Sequence, residues 1–234
     1  MKDIVAFLRE LKQNNDRTWF NAHKGQYLYV QGKFQRLVDE LISEISTFDP
    51  SVAGLTAKDC TYRIYRDVRF SEDKSPYKTH FGAFIAPGGK KSGFSGYYFH
   101  VATGGEGYPD NHMLAVGDYC CTPEALRILR EDIAYGQGDF EQTLQQAAPY
   151  FCLDCVGSLK RNPKGFPEGT PYEEYIRLKK FCLCHIPDDL FFLSENLPQR
   201  VAGLFRLTYP FLQYLNRGIA YSREGYGLLW EIGY

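Results

Sequence analysis

The spacing of the apolar residues changes once along this chain, and that change limits the fold more than any other feature. Up to residue 46 apolar residues recur at helical spacing, most clearly from Tyr27 to Ile45 over about five turns. Beyond residue 60 the spacing becomes two, in four segments bounded by glycine-rich sequence: TYRIYR, HFGAFIA, GYYFHVA and HMLAVGDY. Such alternation is typical of half-buried strands joined by hairpins. The sequence therefore predicts helices followed by an antiparallel sheet.

The opening residues predict a short first helix. Ile4, Phe7, Leu8 and Leu11 fall on one face at helical spacing, and a polar NNDR sequence follows. The side chain of Asp16 is suited to cap the next helix, because its carboxylate can accept from backbone N–H groups that a helix start leaves without partners.

The second half of the chain begins with a clear helix start. Thr122 is a suitable N-cap, and Pro123 occupies the first helical position, where its missing N–H costs nothing. A shorter helix is predicted from Asp139, and another near Tyr172 after a loop rich in proline and glycine. Two further strands are predicted, with the sequences YFCLDC and KKFCLCHI.

The last predicted element is a long helix from about Leu197 to Tyr221, which Pro210 should kink or divide. No linker, internal repeat or low-complexity tract interrupts the chain. The expected fold class is therefore α+β: a single domain over residues 1–234, with an antiparallel β-sheet flanked by N-terminal and C-terminal helices.

Composition narrows the classes of partner and the location. The chain has 27 Lys and Arg residues against 28 Asp and Glu, so its overall field does not attract nucleic acid or an anionic membrane. No apolar run approaches the roughly 20 residues of a spanning helix, and the N-terminus lacks the pattern of a signal peptide. Seven cysteines, an odd number, favour reduced thiols. We expect a cytoplasmic protein without a membrane partner.

Residues 62–80, YRIYRDVRFSEDKSPYKTH, carry a net positive charge, unlike the nearly neutral chain as a whole. Five basic residues stand there against three acidic ones, an excess of two: Arg63, Arg66, Arg69, Lys74 and Lys78 against Asp67, Glu72 and Asp73. The strand TYRIYR should end near Asp67, leaving the later basic residues on a loop. Guanidinium groups match phosphate or carboxylate oxygens in pairs, so the cluster suits an anionic ligand. The alternative is a structural network of ion pairs.

This segment resembles the signature of the family catalogued as domain of unknown function 2461, an R-x-x-R-D-x-R-F-x-x-D-K-[ST]-P-Y-K run. The likeness extends to FLRELKQNNDRTWFNAHKGQY near the start, to LKRNPKGF and to LKKF, and so covers most of the chain. It implies one α+β domain and supplies no activity. The family's polar positions fall here on Arg63, Arg66, Asp67, Arg69, Asp73, Lys74, Tyr77 and Lys78, with Trp19, Lys24, Tyr27, Lys160 and Lys164 as further matches.

A second basic group lies in LKRNPKGF, where Lys160, Arg161 and Lys164 occupy a loop. If the two basic loops faced one pocket, they would clamp an anion. The alternative is a solvated loop, and the sequence leaves both open. Lys160 and Lys164 are therefore candidate ligand-binding residues beside those of the 62–80 segment.

The cysteines and histidines allow other chemistry. Cys152, Cys155, Cys182 and Cys184 are residue types of a zinc site, but strand geometry splits them between faces, so we expect no metal and otherwise buried thiols. The candidate catalytic residues are His80, His100 and Asp67. His80 and His100 lie on neighbouring predicted strands and are the better pair.

Together these features predict a protein that binds a phosphate- or carboxylate-bearing small molecule in a basic and aromatic pocket. Asp67 and Asp73 would orient the basic residues, and Tyr77 would contact the ligand. The sequence does not decide whether it is an enzyme; transfer or hydrolysis of the bound molecule is the class to test. We expect no cofactor, and the charge balance disfavours nucleic acid. The competing hypothesis is a non-enzymatic module that meets a protein or nucleic acid, with a structural arginine network. The oligomeric state stays open.

Overall fold

The computed structural model describes residues 1–136 and 138–231, with side chains up to residue 224. Ten α-helices are described: α1 Lys2–Gln13, α2 Arg17–Ala22, α3 Lys24–Ser46, α4 Ala57–Cys60, α5 Pro123–Tyr135, α6 Asp139–Ala147, α7 Glu173–Ile176, α8 Asp189–Phe192, α9 Leu197–Leu207 and α10 Tyr209–Glu231. The five described strands are β1 Phe81–Ile85, β2 Gly96–Val101, β3 Met113–Asp118, β4 Cys152–Leu153 and β5 Phe181–His185.

The N-terminal helices form where the apolar spacing predicts them. The apolar stripe of α1 is buried, and Asp16 caps α2 by accepting from the backbone N–H groups of Thr18 at 2.8 Å and Trp19 at 2.9 Å. The long α3 contacts both α1 and β1. The structure confirms these predictions. They could be made from the sequence because each depends on residues that are close together in the chain.

The strands form a five-stranded sheet in the order β1-β2-β3-β5-β4. β1 and β2 pair antiparallel, with Gly82 opposite His100 and Phe84 opposite Tyr98; β4 and β5 also pair antiparallel. The fold class is α+β, as predicted, with an antiparallel sheet and helices in both the N-terminal and C-terminal parts of the chain.

The two faces of β1 and β2 have different roles. Phe81 and Phe99 point to one face, where Phe34 of α3 stacks on them with ring centroids 5.2 and 6.0 Å apart. Because strand side chains alternate, Gly82, Tyr98 and His100 must share the opposite face. One face is therefore core, and the other carries polar side chains.

The predicted strand TYRIYR is wrong. Only two isolated bridges form there, between Thr61 and Ala83 and between Tyr65 and Tyr77. The backbone N–H of Tyr62 donates to Gly82 of β1 at 3.0 Å, but three residues later the segment pairs with its own return, residues 76–78. A strand ladder needs one continuous partner, and this segment changes partner too soon to build one.

The C-terminal half also follows most of its local signals. The hydroxyl of Thr122 caps α5 by accepting from the Ala125 backbone N–H at 3.2 Å. Pro210 divides the predicted long helix into α9 and α10, and it stands second in α10, where no intrahelical N–H bond is needed. In β3, Gly117 has a φ of +126°, and a Cβ there would overlap the backbone oxygen of Phe181 on β5.

The chain groups into two compact units, each assembled from three stretches. Residues 1–93, 97–114 and 185–204 form the first unit, and residues 94–96, 115–184 and the chain from 205 onward form the second. The aromatic stack of Phe34, Phe81 and Phe99 belongs to the core of the first unit. α10 packs against α5 and α6 in the second. The single domain over residues 1–234 stays a prediction.

Candidate functional site

The 62–80 segment folds back on itself as an irregular hairpin. The backbone N–H of Arg66 donates to the carbonyl of Pro76 at 2.9 Å, and that of Lys78 donates to Ile64 at 2.8 Å. The side-chain amide of Asn15 fixes the return strand: it donates to the Tyr77 carbonyl at 2.9 Å and accepts from the Tyr77 N–H at 3.1 Å. The loop is thus fastened to the turn between α1 and α2.

Arg66 closes the hairpin from within. Its guanidinium pairs with the carboxylate of Asp73 and donates to the Ser75 carbonyl at 3.2 Å and the Ser71 hydroxyl at 3.3 Å. The Ser75 hydroxyl and backbone N–H, together with Arg66, lower the pKa of Asp73 to about 2. This ion pair joins the two arms of the loop.

Arg69 and Lys74 also find partners inside the loop. Nε and Nη2 of Arg69 donate to the two carboxylate oxygens of Asp67 at 2.9 and 2.6 Å, which lowers the pKa of Asp67. The ammonium of Lys74 donates to the Val68 carbonyl at 3.1 Å. Three of the five basic residues are therefore engaged within the hairpin, two in ion pairs and Lys74 with a backbone carbonyl.

The two arginine pairs should differ in their effect on stability. We expect Arg66→Ala to lower the melting temperature by about 3 °C or more, because it leaves Asp73 and the partly buried Ser71 and Ser75 without their shared donor. Arg69→Ala should change it far less, because its side chain is 76% exposed and solvent screens the pair with Asp67. Thermal denaturation of both variants tests the order; equal melting temperatures would contradict it.

Tyr77 belongs to the core of this region. It is 4% exposed and stacks on Phe20 of α2 with ring centroids 3.9 Å apart. The ring of Tyr65 lies 5.4 Å from it. Burial raises the pKa of Tyr77. Its ring therefore contributes to the fold by packing the hairpin onto α2.

Arg63 and Lys78 differ from the other basic residues. Among the side chains of residues 1–136 and 138–224 no carboxylate is described within 4.0 Å of either one. Lys78 is half-buried, and its ammonium lies 5.5 Å from the centroid of the Tyr62 ring. Burial lowers the pKa of Lys78, and the charge of Arg63 lowers it further. Two positive charges thus lie close together, and in the part of the chain that is described neither makes an ion pair within 4.0 Å, although the charge of Arg63 also acts on Asp67.

Two histidines adjoin these cations. His80, just before β1, and His100 of β2 have ring centroids 4.4 Å apart, so the two histidine candidates do come together, although only His100 lies in a strand. Burial lowers the pKa of His80 to about 3, with further contributions from His100 and Lys78. Burial also lowers the pKa of His100 to about 4. Both imidazoles are therefore neutral at physiological pH.

The ring of His100 is held at both nitrogens. Nδ1 meets the hydroxyl of Tyr98 at 2.9 Å, and Nε2 meets the carbonyl of Pro109 at 3.0 Å. The exposed ring of Tyr108 lies 5.5 Å from His100 and 6.1 Å from His80. Sequence reasoning missed Tyr98 and Tyr108. Strand alternation could have found Tyr98, which precedes His100 by two residues and shares its face.

Asp67 lies apart from the histidines. It sits on the exposed end of the hairpin with Arg69, and no hydrogen bond between Asp67 and either imidazole is described in the residues covered by the structure. The carboxylate whose charge acts on both His80 and His100 is Asp110, which also pairs with Lys12 at 2.8 Å. The sequence did not single out Asp110, because the loop that carries it has no regular spacing.

Lys160 and Lys164 are exposed and lie in the second unit, whereas the 62–80 hairpin lies in the first. Their loop is shaped by Asn162, which donates to the Pro167 carbonyl at 2.6 Å and accepts from Nε of Arg177 at 2.8 Å. Convergence of the two basic loops on one ligand stays a prediction.

The cysteines are arranged differently from the buried thiols that the sequence suggested. Cys182 is buried, as expected, but Cys152 and Cys155 are exposed, because β4 has two residues and ends the sheet. Cys152 lies opposite Cys184 across β4 and β5. Among the described residues no group of three or more histidine, cysteine or acidic side chains could hold a metal ion.

Comparison with known proteins gives one similarity. The family model described as Conserved hypothetical protein (DUF2461) matches residues 3–214. Neither the comparison with curated proteins nor that with solved structures gave a match. No helix in the described residues combines the length and apolar character needed to cross a membrane. The match covers the hairpin, both histidines and Tyr98, so the candidate site lies wholly within the matched region.

Proposed function

The chain belongs to the DUF2461 family of conserved hypothetical proteins, and for this member we propose that it binds a small anionic molecule at Arg63 and Lys78. The observation that carries the proposal is the half-buried ammonium of Lys78, which lies near the charge of Arg63 and has no described carboxylate within 4.0 Å. Arg63 makes no described ion pair within 4.0 Å either, although its charge also acts on Asp67. Like charges raise each other's free energy where solvent screening is reduced. A bound phosphate or carboxylate would relieve that repulsion.

The chemistry of the two cations suits such a ligand. The guanidinium of Arg63 can donate to two oxygens of one phosphate or carboxylate, while Lys78 supplies a compact charge. The ring of Tyr62 beneath the ammonium limits the positions that Lys78 can take. The neighbouring imidazoles carry no charge at physiological pH, so they neither repel nor neutralise the anion.

In this proposal the remaining polar residues of the hairpin act indirectly. Arg66 with Asp73, and Arg69 with Asp67, already satisfy each other and shape the loop that presents Arg63 and Lys78. The proposed ligand contacts are therefore a subset of the basic residues that the sequence indicated. The others are positioning residues, because they act through the loop.

The test is a thermal-shift titration with inorganic phosphate, sulfate and acetate at constant ionic strength. We expect at least one anion to raise the melting temperature of the wild type progressively with concentration, and Lys78→Met to lose that rise. Without ligand, Lys78→Met should melt at the same temperature or higher, because a partly desolvated charge has been replaced by an apolar side chain of similar length.

Lys74→Met is the matched control. It removes an exposed lysine from the same hairpin, one that donates to a backbone carbonyl, and should keep the full anion response. The proposal is wrong if no anion stabilises the wild type, or if Lys78→Met responds as the wild type does.

A further inference from the structure

The hydrogen bonds around His100 have a fixed direction that starts at Pro109. A backbone carbonyl oxygen can only accept, so the contact of 3.0 Å requires that Nε2 of His100 carries a proton and donates it. Burial keeps this imidazole neutral, so the ring carries a single N–H proton, and that proton is on Nε2. Nδ1 must present a lone pair.

That lone pair fixes the direction of the next hydrogen bond. The hydroxyl of Tyr98, 2.9 Å from Nδ1, must donate its proton to His100. The Tyr98 oxygen is left with lone pairs and no proton to offer elsewhere. In the described part of the chain no group donates a hydrogen bond to this oxygen. It can therefore accept a hydrogen bond from a ligand.

Contacts through Gly82 and Tyr62 link the Tyr98 oxygen to the proposed anion site. The oxygen sits over Gly82 of β1, where a Cβ would be only 2.7 Å away, so the absence of a side chain at residue 82 makes room for the hydroxyl. The carbonyl of Gly82 in turn accepts from the backbone N–H of Tyr62 at 3.0 Å, and the Tyr62 ring lies under Lys78. Gly82, Tyr62 and Lys78 thus connect the Tyr98 oxygen to the cations.

From this geometry we propose that the ligand is a hydroxylated anion, whose carboxylate or phosphate binds Arg63 and Lys78 and whose hydroxyl group donates to the Tyr98 oxygen. The inference rests on the proposed function. It names the substrate class as phosphorylated polyols and sugars or hydroxy acids, because these carry an alcohol close to an oxyanion. A ligand that places only a hydrogen-bond acceptor at Tyr98 would bring its own lone pairs against those of the Tyr98 oxygen. Such a ligand would bind more weakly.

The test compares matched probes that differ by hydroxyl groups: glycerol 3-phosphate against n-propyl phosphate, and lactate against propionate. In the wild type we expect the hydroxylated probe of at least one pair to bind about five- to tenfold more tightly, as one added hydrogen bond to a partly buried acceptor would give. Calorimetric or thermal-shift titrations give the ratio of dissociation constants. In Tyr98→Phe that ratio should fall to about one.

Two further variants keep the result interpretable. Gly82→Ala should also abolish the preference, since its Cβ displaces the Tyr98 hydroxyl without altering Tyr98 itself. Tyr135→Phe removes the hydroxyl of a 69% exposed tyrosine in the second unit and should keep the wild-type ratio.

The outcomes separate the two proposals. If n-propyl phosphate or propionate binds through Lys78 but the hydroxyl adds nothing, or its gain survives in Tyr98→Phe, the substrate class is wrong and the anion site stands. If none of the four probes binds, the anion site and the substrate class fail together.

Discussion

Replacement of Gly117 by alanine is expected to lower the free energy of unfolding by about 3 kcal/mol or more. Gly117 has a φ of +126°, a region that L side chains rarely adopt, and its Cβ would overlap the backbone oxygen of Phe181. A flexible side chain could move away from such an overlap. A backbone carbonyl within a sheet cannot move without pulling β3 and β5 apart, and this is why the expected effect is large.

Urea denaturation of Gly117→Ala measures this loss of stability, and the same measurement on Gly203→Ala is the control. Gly203 lies in α9, and no atom lies within 4 Å of the position that a Cβ would take there, so alanine should be neutral or stabilise by up to about 1 kcal/mol. A Gly117→Ala protein within about 0.5 kcal/mol of the wild type would show that β3 and β5 separate more easily than this register implies.

Acidification is expected to produce the second large effect. The pKa of His100 is about 4 in the folded chain, below the roughly 6.5 of an unfolded histidine. Between these values the unfolded chain binds the proton and the folded chain does not, so stability present above pH 6.5 is lost as the pH falls towards 4. At about 1.4 kcal/mol per pH unit, His100 alone should cost about 2 kcal/mol at pH 5.

The same direction applies to His80 and His112, whose pKa values burial also lowers. Urea denaturation at pH 7, 6 and 5 measures the slope, and His100→Gln should remove the share that belongs to His100. Ring titration by NMR gives an independent check, since His100 should keep one proton, on Nε2, down to about pH 5. A His100 ring that titrates near pH 6.5 would refute the slope, and a neutral ring with its proton on Nδ1 would refute the direction of the Tyr98 hydrogen bond.

The sequence predicted the parts of the fold that local spacing controls. The stripe of α1, the caps at Asp16 and Thr122 and the break at Pro210 each depend on a few neighbouring residues. The segment TYRIYR has equally good alternation, yet forms no strand. Its pairing is decided by where β1 and residues 76–78 lie, and one-dimensional spacing does not contain that information.

For the candidate site, the sequence predicted which histidines lie together but not which basic residues are paired with acids. Alternation on adjacent strands brought His80 and His100 together. Counting charges gave an excess of two between residues 62 and 80 but could not say which cations stay unpaired, because that depends on how the hairpin folds. Arg66 and Arg69 have acidic partners in the loop, and Lys74 donates to a backbone carbonyl there. The side chains of Arg63 and Lys78, nearer the sheet, make neither kind of contact among the described hydrogen bonds and ion pairs.

The contact between Asn15 and Tyr77 leads us to expect that the 62–80 hairpin docks after the helices have formed. Its two hydrogen bonds join residues separated by 62 positions in the chain, so closing this contact costs more chain entropy than forming the helices or the β1–β2 hairpin. Asn15 lies between α1 and α2, so we expect these helices to form before the hairpin docks on the segment that joins them. We therefore expect the hairpin to assemble late, and we expect a partial opening that frees Tyr77 to separate Arg63 from Lys78 while the sheet stays intact.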